Sequence, residues 1–73
     1  MSYAETQRLR FIDFLFDHYG TLRRLAIMDF WGVSQPQASA DIKRYIELAP
    51  TNVEYDKRAK LYRKTDAFQR VWN

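Results

Sequence analysis

The side chains whose types and spacing suit a defined chemistry lie between Ser34 and Arg44. Gln35, Gln37 and Ser39 are neutral hydrogen-bonding groups on alternate positions, Pro36 and Ala40 are small and apolar, and Lys43 and Arg44 follow them. Gln bonds adenine through two atoms at once, Ser bonds several base edges, and Ala or Pro lies against a thymine methyl. Lys43 and Arg44 suit guanine or phosphate. The chemistry indicated is recognition of bases, with Gln35, Pro36, Gln37, Ser39, Ala40 and Lys43 as readers. A merely solvated helix face is the plain alternative.

Bond-making chemistry has no comparable signature. The single His18 and the nine acidic residues show no metal-ligand spacing. A histidine at a helix end more often acts as a favourable charge against the helix dipole. With no Cys, disulfides and thiolate metal sites are excluded. There is no Ser-His-Asp set and no glycine-rich phosphate loop. No enzyme activity, cofactor or metal is expected. No apolar run approaches the ~18 residues of a membrane span. The first residues, Met1 to Glu5, lack the basic start and apolar stretch of a signal peptide. A cytoplasmic protein is expected.

Seventy-three residues make one domain with a small core, and five Phe, five Tyr and two Trp supply its bulk. The net charge of +3 is unevenly placed: five basic residues and no acid lie between Lys57 and Lys64. Such asymmetry marks an end that faces a polyanion, or else a solvated charged hairpin.

The elements that must position these groups follow from periodicity and punctuation. Leu9, Ile12, Phe16 and Tyr19 recur at helical spacing, widened by Phe11, Phe14 and Leu15, and predict helix one over 3–19. Its apolar face is wide enough to be wedged between two other helices; alternatively Phe11 and Phe14 meet a second subunit. Gly20 ends this helix, and Thr21 is the expected N-cap of helix two, 22–31, with Leu25, Ile27, Met28 and Trp31 apolar. Arg23 and Arg24 in its first turn oppose the macrodipole, which a bound phosphate would offset. Gly32 is read as a turn residue that needs a positive φ and where a Cβ would clash. Ser34 is the N-cap of helix three, 34–49, with Gln37 completing a capping box, Val33 and Ala38 a hydrophobic staple, and Pro36 in the first turn. Ala38, Ile42, Tyr45, Ile46 and Ala49 form its buried face, and Asp41, at the edge of the exposed face, requires an Arg or backbone partner. Pro50 ends the helix.

Val53–Asp56 and Lys60–Arg63 read as strands of a hairpin, the wing of 53–63, with Lys57, Arg58 and Lys60 at its tip and Tyr55 and Tyr62 packed on helix three. Residues 65–72 read as a short terminal helix capped by Thr65 or Asp66. Phe68, Val71 and Trp72 there need cover from the core, a partner subunit or a further domain. The fold class is therefore mainly α with a small β-hairpin: a winged helix-turn-helix whose third helix enters the DNA major groove. Arg23, Arg24, Ser34, Arg44, Lys57, Arg58 and Lys60 are the expected phosphate and wing contacts. Phe11, Phe14, Phe68 and Trp72 are the candidate dimer surface.

The string from Ser34 to Tyr45, then Leu48-Ala49-Pro50, Tyr55-Asp56-Lys57 and Lys60-Leu61-Tyr62, resembles the N-terminal winged helix-turn-helix of DeoR-like regulators that carry a C-terminal WYL domain. The similarity runs from about Arg8 to Phe68 and is greatest to the subgroup that represses bacterial anti-phage defence operons. It implies a bacterial or phage, cytoplasmic, dimeric repressor that binds double-stranded DNA at an inverted repeat, released by a ligand on the WYL domain. The sequence ends at Asn73 without that domain, as a single domain, a fragment of a longer protein or a free-standing small regulator would, so ligand sensing does not carry over. Met28 departs from the small residue usual beside the turn. A winged helix that binds protein, or RNA or single strands, is the alternative.

Overall fold

The computed structural model describes residues 2–73; Met1 of the expected 1–73 span lies outside it. Helix α1 runs Tyr3–Tyr19. The Ser2 hydroxyl accepts from the Glu5 N–H at 3.1 Å, and Gly20, at φ 77°, donates its N–H to the Phe16 carbonyl. Leu9, Ile12 and Phe16 are fully buried, at about 1.5–3 kcal/mol each. Tyr19, expected to extend this stripe, is 71% exposed, because the chain turns away at Gly20 before anything covers its ring.

After Gly20 the chain is extended. Thr21–Leu22 form a short strand, β1, followed by α2 at Arg24–Trp31 and α3 at Gln35–Leu48. Helix two thus starts two residues later than the sequence suggests. Thr21 is no cap; Arg23 takes that position without a side-chain bond. Burial of Leu22 and backbone pairing of both residues override the cap signal. Ile27 is the buried residue of α2, and Leu25, about 200° round the helix from it, is exposed rather than apolar cover.

Gly32 closes α2 at φ 65°, its N–H on the Met28 carbonyl at 2.8 Å. A Cβ there would meet open space, so the left-handed backbone, not a clash, selects glycine. Helix α3 buries Ala38, Ile42 and Tyr45 against Leu9, Ile12, Phe16 and Ile27, with Met28, Val33, Ile46 and Ala49 packed around them. Ser34 and Ala49 are its caps.

Strands β2, Val53–Asp56, and β3, Leu61–Lys64, form the wing, and β1 adds to β3 to give an antiparallel sheet ordered β1-β3-β2. The returning strand begins at Leu61, not Lys60, which sits in the turn at φ 56°. Asp56 organises that turn without Gly or Asn. One carboxylate oxygen accepts from the Arg58 and Ala59 N–H groups at 3.0 Å, and the other from Arg63 Nε at 3.0 Å. These bonds, the Ala59 amide first and then Arg63, hold the Asp56 carboxyl below the usual carboxylate range.

No helix forms over 65–72. A single turn forms instead, from the Phe68 N–H to the Thr65 carbonyl, with the Thr65 hydroxyl accepting from the Ala67 N–H. Beyond it, side chains replace helical bonds. Asn52 pairs with the backbone of Gln69 as a strand would, donating to its carbonyl at 2.8 Å and accepting its N–H at 3.0 Å. Asp13 accepts the N–H groups of Val71 and Trp72 at 3.0–3.1 Å. The fully buried Asp13 also accepts from the Tyr45 hydroxyl at 2.6 Å, and Asn52 donates to that hydroxyl at 3.1 Å. Burial first, and then the Asp13 bond, push the Tyr45 hydroxyl pKa up, so it remains a neutral donor. Phe68 and Trp72, expected on a dimer surface, pack against the core of their own chain.

Candidate nucleic-acid interface

The front of α3 is set by its cap. The Ser34 hydroxyl accepts from the Gln37 N–H at 3.2 Å, and Pro36 occupies the first turn, where no intrahelical N–H is needed. With Ala38, Asp41, Ile42 and Tyr45 turned inward, Gln35, Pro36, Ala40, Lys43 and Arg44 are left exposed. Gln37 and Ser39 flank this strip half-buried.

Both flanking residues have partners that the sequence reading leaves out. The Gln37 side chain does not complete a capping box; its Nε2 donates to Asp41 Oδ1 at 2.9 Å. Asp41, 1% exposed, is held by Arg8 of α1, with Nε to Oδ2 at 2.7 Å and Nη2 to Oδ1 at 3.3 Å. The Arg partner required for Asp41 is thus supplied from 33 residues away. Ser39 accepts from Arg24 Nη1 at 3.1 Å, which draws one of the two α2 arginines toward α3.

An open groove runs between the start of α2, the start of α3 and the wing. Arg23, Arg24, Gln35, Lys60, Tyr55 and Tyr62 line it. The wing therefore stands beside the front of α3, with Lys57 and Arg58 exposed at its tip. Tyr62 packs against the core, and Tyr55 faces the groove that Gln35 of α3 also lines. It is half exposed and rests on Tyr62, its partner across the hairpin, with ring centroids 4.8 Å apart. Arg44 lies 3.8 Å from Glu47 on the surface, a pairing worth little in water. Among the described residues, no group of His, Asp or Glu side chains is arranged to hold a metal ion, and no helix is long and apolar enough to cross a membrane.

A family model described as the BrxR transcriptional regulator winged helix-turn-helix domain matches residues 4–72. The chain belongs to the BrxR winged helix-turn-helix family. Relatives of the BrxR-type domain include proteins named DNA-binding transcriptional repressor CapW. The one from Pseudomonas aeruginosa is 44% identical over 96% of this chain and 23% of its own length. The one from Escherichia coli (strain KTE188) is 43% identical over the same shares. The one from Stenotrophomonas maltophilia is 38% identical over 94% of this chain and 23% of its own length. The chain thus spans under a quarter of the curated relatives it matches.

The BrxR-type domain also carries an aromatic patch at the α1–α2 junction. Phe11 stacks on Phe30 at 4.4 Å and meets Trp31 edge-on at 5.9 Å, while Phe30 is 65% exposed. Phe14 sits apart, beside the His18 ring at 4.2 Å. Phe30 and Trp31, which the sequence reading assigns only to helix two, are the larger exposed members of this surface.

Proposed function

We propose that this domain is the DNA-reading module of a transcriptional repressor. The observation that carries the reading is the uncharged, exposed strip Gln35, Pro36 and Ala40, with Arg23, Arg24 and Lys60 lining the groove beside it and Lys57 and Arg58 exposed at the wing tip. The strip suits base edges in the major groove, and the cations suit the two phosphate strands that border it. Gln37, Ser39 and Lys43 complete the base-reading set, and Ser34 and Arg44 add phosphate contacts. The repressor role follows the named relatives, and work in the cytoplasm on bacterial or phage DNA follows the sequence and its resemblance. Control of anti-phage defence operons and a following WYL domain follow the resemblance described above.

One winged helix covers only about 600–1,000 Å² of DNA-facing surface, so a homodimer on an inverted repeat is part of the proposal. The exposed Phe30 and Trp31, with Phe11 beneath them, favour self-association. Selection of bound duplexes from a random pool tests the reading. The expected winner is a palindrome with half-sites about 34–36 Å apart or a multiple of that. Recovery of unrelated sequences, or of single strands, contradicts it.

A further inference from the structure

We infer that Arg8 and Asp41 are positioning residues for sequence specificity: they hold the Gln37 amide in the one orientation that reads adenine. The inference rests on the proposed reading of α3. A glutamine amide offers one acceptor oxygen and a nitrogen with two N–H donors, and swapping the two ends costs nothing when its surroundings are neutral. Here they are not. Asp41 faces the amide at 2.9 Å with a carboxylate, which accepts and does not donate, so the nitrogen end must point to it. Arg8 fixes the carboxylate in turn through two nitrogens, Nε at 2.7 Å and Nη2 at 3.3 Å. One amide N–H is consumed, and Oε1 and the second N–H remain. That remaining pair complements the N6 amino donor and N7 acceptor that adenine presents in the major groove.

The relay explains why a costly buried carboxylate sits beneath a surface helix face. It also explains why Gln37 forgoes the second half of its capping box. A side chain fixed before binding loses less freedom on contact, so Gln37 is a stricter reader than the exposed Gln35. Arg8 lies on α1, behind the reading face, and is 15% exposed, so a survey of groups touching bases passes over it.

The test is duplex selection with the parent chain, Gln37→Ala, Asp41→Asn and the double variant Arg8→Met/Asp41→Leu, the last two also combined with Gln37→Ala. An amide at 41 both donates and accepts, so it fixes no orientation. The apolar pair removes the relay without leaving a lone buried charge, and keeps the fold measurable if Asp41→Asn does not. The parent is expected to select an A·T pair at one position of each half-site. All three variants are expected to lose that preference by about tenfold or more, at that position alone. Adding either relay variant to Gln37→Ala should change nothing further, and the two relay variants alone should bind random duplexes as the parent does. Retention of the preference in folded relay variants overturns the inference, as does an equal loss at every position, which marks a purely structural pair. A parent that selects no sequence overturns the reading of α3 itself and this inference with it.

Discussion

Two buried aspartates join α1 to α3, and they do opposite things. Asp13 gathers inward-facing groups: the Tyr45 hydroxyl and the backbone N–H groups of Val71 and Trp72, with Arg70 at 3.7 Å. Asp41 gathers groups that lead outward, Arg8 at its back and Gln37 toward the surface. Asp13 closes the C-terminal segment over the core, so its partners belong to the fold. Asp41 ends on a side chain at the rim of the exposed α3 strip, so in the proposed reading its partners belong to recognition. The same residue type at a similar burial is structural or functional according to where its last hydrogen bond points.

Stability and specificity should therefore separate between the two aspartates. Asp13→Ala leaves the buried Tyr45 hydroxyl and two half-buried backbone N–H groups without their acceptor and is expected to cost about 3–5 kcal/mol, read by chemical denaturation. Base preference of the remaining folded fraction should be unchanged; altered preference would erase the contrast. Gly32→Ala, at the turn that launches α3, is expected to cost about 1–2 kcal/mol from φ alone, since there is room for the methyl. A near-neutral result in the same denaturation assay would mean that the turn can relax. Lys57→Ala and Arg58→Ala should leave stability untouched and weaken cognate and random duplexes alike. Each should flatten the slope of log affinity against log salt by about 0.9 per lost phosphate contact. Lys43→Ala should weaken the cognate duplex only.

The smallest effect concerns the wing tip. The Asp56 carboxyl is held below its ordinary value of 3.8 by the Ala59 amide and Arg63. Its contribution to the turn is complete above that ordinary value and fades as pH falls through the lower folded-state one. Amide exchange at Arg58 and Ala59 should accelerate only in that acidic window, and Asp56→Asn should remove the pH step.

The three helices and the wing were legible because their boundaries are written locally. Gly20 and Gly32 adopt the left-handed turns, Ser34 caps α3, and Pro50 follows its end. Most of what escaped is held by partners distant in sequence. Strand β1 exists because Thr21 and Leu22 pair with Arg63 and Tyr62. The helix expected over 65–72 loses to Asn52 and Asp13, whose side chains take the backbone groups a helix would use. Lys60 enters the left-handed region because Asp56 builds the turn before it. At the candidate interface, Gln37 and Ser39 are readable as rim positions from helical spacing. The clamp of Arg8 on Asp41 and the tether of Arg24 to Ser39 are not, since they reach α3 across 33 and 15 residues. The aromatic patch likewise needed the α1–α2 packing to bring Phe11 against Phe30.

The most direct test of the central claim is titration of the isotopically labelled chain with its selected duplex, followed by amide and side-chain chemical shifts. The account predicts the largest changes at Gln35, Gln37, Ala40 and Lys43, smaller ones at Arg23, Arg24 and Lys57–Lys60, and none at Asn52 or Val71. Changes centred on Phe11, Phe30 and Trp31, with the front of α3 silent, would contradict it.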